Sequence, residues 1–507
     1  MNLVRSSFFV TSLSISVTLI SFLNQVILAS FFGTSNQMDL FLIGTSFPFM
    51  IAAILSSSFS YYLIPEFVRS FTNKNFSEQN FLGIFILNIN KKILLIIIPL
   101  ALIFYLIIPH IYMTKDSQSL NLLRTINFLS WINIFISINY SIFLCYLNSK
   151  KLFFKPIILN SIPFIFSIFF VLIFNSSLQI LSVIIGTIIG NILILIIIGY
   201  KLFRKFDYKF NNEISLSIKK IFPLLILTMI AMLSFSAFQS IDSFLVPRLG
   251  ESVMSNTGYA QRLVIAIGSL VITGPSVVLV PRLTESFNKS RYEQYFSDSF
   301  LVNKLVILFS SIIGFILILN SKSVVKILFE RGEFDSSSTI GVSSMLSYYL
   351  FGMIFMLISV VNFRILFTKK VNIRLSIIGI TTASLYFIFL SIFSSFYGQD
   401  GIGYAYILTW FLISLITLYE VFKSQILNFL NIQLLFFLLK NSVIIFVIFI
   451  SNELIDSIIE FFFIGFSNII VNTFIKISIQ AIISFIMMFY ILKMEEFKFI
   501  VKKIFNK

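Results

Sequence analysis

The chain has 507 residues, of which 58% are hydrophobic and only 11% charged, whereas soluble domains run at about 45–50% apolar and about 25% charged. A water-soluble fold of this make-up could not cover its surface, and 64 Phe beside 19 Gly and 10 Pro exclude collagenous and disordered classes. The net charge of +16 would suggest nucleic acid in a soluble protein, but membrane proteins concentrate Lys and Arg in short cytoplasmic loops. The composition is that of an all-α polytopic membrane protein.

A membrane helix needs about 20 mainly apolar residues. In chain order, apolar stretches fall at 8–32, 40–64, 92–112, 126–147, 157–174, 178–200, 221–245, 257–281, 302–320, 343–367, 375–395, 401–422, 434–451 and 461–492. That makes about fourteen transmembrane helices, the last combining an interfacial approach with a span near 472–492. A cleaved signal has a shorter apolar core followed by a small-residue cleavage site, and more than ten further spans follow here, so the first stretch reads as a retained helix. With the N-terminus inside, 27 basic residues fall in inside loops against six outside, which predicts that both termini are cytoplasmic. The breaks at 65–91, 201–220 and 282–301 carry Lys and Arg beside Phe and Tyr and read as amphipathic connectors at the headgroups. The expected organisation is an N-lobe of helices 1–6 over 1–200, an amphipathic cytoplasmic connector over 201–220, a C-lobe of helices 7–12 over 221–422, and helices 13–14 with a basic tail over 423–507. Two six-helix lobes are a transporter architecture.

Charge within a span costs about 2.5–3.5 kcal/mol on insertion scales, so each case needs a reason. Arg364, Lys440 and Lys476 lie near span ends, where snorkelling to the interface accounts for them. Arg262 lies deeper and follows Gln239 and Asp242 of the preceding helix; an arginine with neighbouring acceptors can grip a phosphate through two hydrogen bonds. Asp242 has three readings: a coupling-cation ligand, a partner for Arg262, or a helix cap. Asp39 precedes the second apolar stretch and reads as the cap of that helix's first turn. Ser12, Ser14, Ser16, Thr18, Ser21, Asn24, Gln25 and Ser30 in the first helix, with Thr45, Ser46, Ser56, Ser57, Ser58 and Ser60 in the second, form a polar series. It suits either hydrogen bonds between helices or a hydrated cavity for sugar hydroxyls.

No nucleotide-binding, zinc-hydrolase or catalytic-triad motif occurs, and His110 and Cys145 are single representatives of their types. The expectation is a protein that is not an enzyme, with no cofactor and no metal site. Energy would come from a monovalent-cation gradient, the membrane potential or another chain.

Three segments carry a family resemblance. VILASFFGTSNQMDLFLIGTSFPF contains Phe32, Gly33, Asp39, Phe41 and Pro48; QSIDSFLVPRLG with GYAQRLVIAIGSLVITGPSVVLVPRLTE contains Gln239, Asp242, Tyr259, Ala260, Arg262 and Pro281; VVKILFERGEFD with NFRILFTKKVNIR contains Leu328, Phe329, Gly332, Phe334, Arg364 and Phe367. In these the chain resembles the MviN/MurJ family of lipid-linked peptidoglycan precursor flippases, within the multidrug/oligosaccharidyl-lipid/polysaccharide exporter superfamily. The resemblance implies a V-shaped alternating-access transporter whose two C-terminal helices shape a lipid groove. It implies substrate contacts from Arg262, Gln239, Asp242, Tyr259, Arg364, Asn24 and Thr18, with Asp39, Gly33, Pro48 and Pro281 in structural or gating roles. The chain departs from the family's cavity arginines: Thr18 and Asn24 stand at the first-helix positions, Ile51-Ala52-Ala53-Ile54 fills the second-helix region, and Asn372 lies near a usual proline.

The resemblance implies transport of an undecaprenyl-diphosphate-linked saccharide across the bacterial cytoplasmic (inner) membrane, for peptidoglycan and cell wall biogenesis or for an O-antigen or capsule-type polysaccharide. The partners are then that lipid, membrane lipids and glycan-synthesis enzymes, and not nucleic acid. The alternatives are a cation-coupled drug or metabolite antiporter of the same superfamily and a non-transporting scaffold of a glycan-synthesis complex.

Overall fold

The computed structural model describes residues 3–72, 78–111, 116–150, 152, 154–203, 212–369, 372–424, 432–462 and 469–492. Every regular element among them is helical. The first are α1 (Leu3–Phe32), α2 (Asn36–Thr72), α3 (Glu78–Ile111), α4 (Ser117–Ser149), α5 (Phe154–Leu159), α6 (Ile162–Leu178) and α7 (Leu181–Phe203). There follow α8 (Asn212–Ser236), α9 (Phe238–Leu245), a 3₁₀ turn (Val246–Leu249), α10 (Val253–Asn288), α11 (Tyr292–Leu319), α12 (Ser321–Phe329) and α13 (Ser336–Thr368). The last are α14 (Asn372–Tyr397), α15 (Asp400–Phe422), α16 (Ile432–Phe462), α17 (Ile469–Ile486) and a π turn (Met487–Ile491).

Among the described residues twelve helical segments are long and apolar enough to cross a membrane, and α8 with α9 makes a thirteenth, bent by 58° at its break. The eighth apolar stretch lies in α10, a 36-residue helix whose rise of about 1.5 Å per residue exceeds the hydrocarbon thickness. The fifth combines α5 and α6, which part at Asn160 and Ser161 just before Pro163. The last holds α17 and the π turn, and its residues 463–468 lie outside the described set, as do 204–211 of the expected 201–220 connector.

Two expected connectors are largely helical. α2 continues to Thr72 and α3 begins at Glu78, while α10 continues to Asn288 and α11 begins at Tyr292. Polar residues take a helix out of the hydrocarbon without unwinding it, since no Pro or Gly interrupts 66–72 or 282–288. Two helices start on aspartates outside the spans. The Ser119 hydroxyl, then the N–H groups of Gln118 and Ser119, hold the Asp116 carboxyl below its ordinary range at the head of α4. Ser338 and Ser337 do the same for Asp335 at the head of α13. Both caps therefore persist as pH falls until those lowered values are crossed.

The chain forms two compact units, one of residues 1–258 with 372–387, the other of 259–371 with 388–507. In the first, Leu55, Phe59, Leu63 and Phe67 of α2 pack with Trp131, Ile134, Ile138 and Ile142 of α4, joined by Ile93 and Ile97 of α3 and Ile194 of α7. In the second, Leu308, Ile312 and Ile316 of α11 meet Phe437, Ile444 and Ile448 of α16 and Met487 and Met488 of the π turn. Polar pairs tie that packing: Asn303 Nδ2 donates to Asn362 Oδ1 at 3.0 Å, Asn441 Nδ2 to Ser311 Oγ at 3.0 Å, and Asn320 Nδ2 to Gln480 Oε1 at 3.0 Å.

Helices in lipid approach closely where small residues line the seam. Gly186 and Gly190 of α7 form such a seam against α6: a methyl group at Gly190 would lie 2.6 Å from Pro163 Cα, and one at Gly186 2.7 Å from the Phe166 carbonyl oxygen. These obstacles are backbone and cannot rotate away. Gly190→Ala should therefore cost about 1–3 kcal/mol and Gly190→Leu more, read as a lower thermal unfolding midpoint in detergent; an unchanged midpoint for Gly190→Leu would refute this close packing.

Candidate functional site

The turn between α1 and α2 and the start of α10 are joined by one carboxylate. Gly33 caps α1 in the left-handed conformation, with φ 52° and its N–H donated to the Ala29 carbonyl at 2.8 Å. Ser35 then accepts from the Met38 and Asp39 N–H groups, so α2 begins at Asn36 and Asp39 stands inside its first turn. The Asp39 side chain caps a different helix from the one expected. It accepts the backbone N–H of Ser252 at 2.8 Å and of Ser255 at 2.7 Å, more than 200 residues away at the head of α10. A helix start leaves its N–H groups without intrahelical acceptors. Asp39, 6% exposed, supplies them.

Pro48 lies buried in the middle of α2 and has no N–H to donate to Gly44, four residues earlier. The orphaned Gly44 carbonyl accepts from Asn127 Nδ2 of α4 at 3.0 Å, and Trp131 Nε1 holds Asn127 by donating to its Oδ1 at 3.1 Å. A side chain at Gly44 would collide with Ile126, with its Cβ 2.6 Å from Ile126 Cγ2. Gly44, Pro48, Asn127 and Trp131 thus form one α2–α4 device. Only Pro48 was anticipated from sequence, because the repair comes from a distant asparagine.

Below this tie the bent α8–α9 span meets α2 and α14. Ser240 Oγ donates to the Ser46 carbonyl at 3.1 Å, and the Ser46 and Ser243 hydroxyls are 2.9 Å apart. Asp242 is fully buried; Tyr386 Oη of α14 donates to its Oδ1 at 2.5 Å, and no other group bonds its carboxyl among the described residues. Gln239 is half-buried on α9. The polar series of α1 and α2 divides. Thr18, Thr45, Ser58 and Ser60 turn back onto carbonyls of their own helices, whereas Asn24 is buried with Oδ1 unbonded.

In the second unit, Tyr259 is fully buried against the rings of Phe329 and Phe334, at centroid distances of 5.4 and 5.6 Å. Gly332, with φ 59°, makes the turn that brings Phe334 back beside Phe329. One helical turn after Tyr259, Arg262 is half-buried, and it is the one charged residue of α10 between Val253 and Pro281. Arg364 is half-buried on α13, two residues past the fully buried Asn362. The side chain of Pro281 lies outside the described set. Lys440 and Lys476, expected to snorkel, bond within the protein: Lys440 Nζ donates to the Leu492 carbonyl at 2.9 Å, and Lys476 Nζ sits 2.6 Å from both oxygens of Asp456. The four substrate candidates of the middle motif divide between the units, with Gln239 and Asp242 in the first and Tyr259 and Arg262 in the second.

The family model described as "Lipid II flippase MurJ" matches residues 28–495. The chain belongs to this family. It is 28% identical over 383 residues to the "Probable lipid II flippase MurJ" of Buchnera aphidicola subsp. Acyrthosiphon pisum (strain APS), covering 70% of this chain and 71% of that one. Its fold is that of a solved "Lipid II flippase MurJ, inward closed conformation", with TM-score 0.76, 19% identity and coverage of 99% and 100% of the two chains. An inward-facing multidrug resistance MATE family transporter of the MOP superfamily shares the fold at TM-score 0.67 and 13% identity, covering 83% of this chain and 98% of its own. The MurJ match begins at residue 28, so Asp39, Pro48, Asp242, Tyr259, Arg262 and Arg364 lie within it and Thr18 and Asn24 before it.

Replacing Asp39 by Ala strands the Ser252 and Ser255 N–H groups, and a hydrogen bond to a charged acceptor contributes about 1.5–3 kcal/mol. Asp39→Ala should lower the thermal midpoint of purified protein more than Asp39→Asn, which keeps one acceptor. Equal midpoints for wild type and Asp39→Ala would remove the tie from the account.

Proposed function

We propose that this multi-pass membrane protein is a flippase that carries the peptidoglycan precursor lipid II, a polyprenyl-diphosphate-linked saccharide, from the inner to the outer leaflet of the bacterial cytoplasmic membrane. The match to the lipid II flippase family over residues 28–495 carries the reading. No bond need be made or broken in such a reaction. The barrier is moving a charged, hydroxylated head group through hydrocarbon, and polar groups replacing its water lower it. Arg262 is assigned to the diphosphate, because a guanidinium meets phosphate oxygens with two directed hydrogen bonds, and Arg364 is a second cation for the same head. Asn24 is assigned to sugar hydroxyls or amides, and Thr18, whose hydroxyl proton goes to the Ser14 carbonyl, joins it only as an acceptor.

Asp39 gives the cycle a latch. By the distribution of basic residues, the α1–α2 turn and the start of α10 both face outside, so the carboxylate that joins them fastens the outer ends of the second and eighth spans. Opening to the outer leaflet exchanges these bonds for water. A second reading is a different glycan on the same polyprenyl diphosphate. It draws on Thr18, Asn24 and the apolar Ile51–Ile54 run, where the family resemblance implies arginines.

Binding of lipid II to matched nanodisc samples, read by native mass spectrometry, should weaken about 10- to 100-fold in Arg262→Ala and less in Arg262→Lys. Unchanged affinity in well-folded Arg262→Ala would reject the phosphate contact, and preference for a polyprenyl diphosphate bearing another glycan would select the second reading. Orientation is tested separately. After Cys145→Ser, a membrane-impermeant thiol reagent should label Arg248→Cys in intact cells and spare Lys289→Cys; the opposite pattern would invert the topology.

A further inference from the structure

The turn between α14 and α15 sets a carboxylate among tyrosines. Gly398 makes the turn with φ 57°, and Asp400 opens α15. One helical turn on, the Tyr404 ring meets that of Tyr397 at 5.3 Å and 85° and that of Tyr348 on α13 at 5.4 Å and 74°. Tyr348 rests on Gly403, where a methyl group would collide with its ring. The exposed Asp400 side chain lies within electrostatic reach of the Tyr348 hydroxyl, and among the described residues it has no hydrogen bond and no Lys, Arg or His partner. α13 carries no cation before Arg364, α14 none after Arg374 and α15 none at all, so these three helices bring positive charge only to the opposite end. On α12, bonded to α13 through Ser321 and Ser347, Lys326 pairs with Glu330 and Lys322 is exposed.

Tyr404 also ends an apolar groove of about 390 Å³, walled by Phe351 and Phe355 of α13, Phe393 of α14, and Ile407 and Phe411 of α15. Phe351, Tyr404 and Phe411 are 37–39% exposed, so the groove is open along its side. From Tyr404 to Phe411 it follows about 10 Å of helix. By the distribution of basic residues the α14–α15 turn faces outside, and the groove descends from the outer headgroup layer into the hydrocarbon.

An aromatic belt accounts for tyrosines at this depth. It does not account for a carboxylate set among them without a cation. Aromatic faces and carboxylates both attract an ammonium, whereas Asp400 repels a head that carries negative charge alone. Groove, rings and carboxylate follow one another in the order of a lipid whose chain lies in hydrocarbon and whose head ends in an ammonium. We propose that this is a binding site for a phospholipid of the phosphatidylethanolamine class in the outer leaflet, with an acyl chain along the groove and the ammonium held by Asp400 and the tyrosine rings. The site lies wholly within the second unit and does not depend on which lipid the protein transports.

Two measurements test it. The full chain, delipidated and returned to nanodiscs of equal phosphatidylethanolamine and phosphatidylglycerol, should retain the former about tenfold over the latter in native mass spectra. Asp400→Asn should lose that preference and Asp400→Glu keep it, which separates charge from folding. A phosphatidylethanolamine with a photoreactive acyl chain should cross-link within residues 351–355 and 404–411. Equal retention of the two lipids by wild type, a preference that survives Asp400→Asn, or cross-links confined to other helices would overturn the site. Added lipid II should leave the cross-links in place; their loss one for one would give the groove to the transported lipid instead.

Discussion

Hydrocarbon offers no hydrogen-bond partner, so every backbone group within a span must find one inside the protein. Unbroken helices meet this constraint alone. The informative places are where the helix is interrupted, because each interruption needs a partner from elsewhere. At Pro48 the missing N–H frees the Gly44 carbonyl, and Asn127 supplies the donor. At the start of α10 two N–H groups lack acceptors, and Asp39 supplies the charge. Both repairs end on α2, which places that helix at the centre of the first unit's polar scaffold.

The same constraint separates structural from chemical polarity. Thr45, Ser58 and Ser60 return their hydroxyl protons to carbonyls three or four residues back, a habit that costs a spanning helix little and offers a substrate little. Lys440 and Lys476 are fastened to Leu492 and Asp456, which fixes the last two helices against each other rather than leaving free charge in the membrane.

Packing and polarity are linked through small residues. Gly186 and Gly190 let α6 and α7 touch backbone to backbone, giving dispersion contacts that substitute for the hydrophobic driving force absent between helices in lipid. Gly44 does the same for α2 and α4, and closeness there brings Asn127 within reach of the Gly44 carbonyl. A bulkier residue would lose the contact and the hydrogen bond together.

The membrane class and the long apolar stretches that become its helices were legible in the sequence, because hydropathy adds up along the chain and needs no knowledge of neighbours. The family motifs were legible too, down to Asp39, Asp242, Tyr259 and Arg262. What those residues touch was not. Asp39 reads locally as the cap of its own helix, yet packing sets α10 within its reach and the carboxylate bonds there instead. Asp242 has three readings in sequence, a cation ligand, a partner for Arg262 or a cap, and none of them names Tyr386, 144 residues on, which the fold brings to it. A short polar side chain bonds whatever group lies within about 3 Å, and tertiary packing alone decides which group that is.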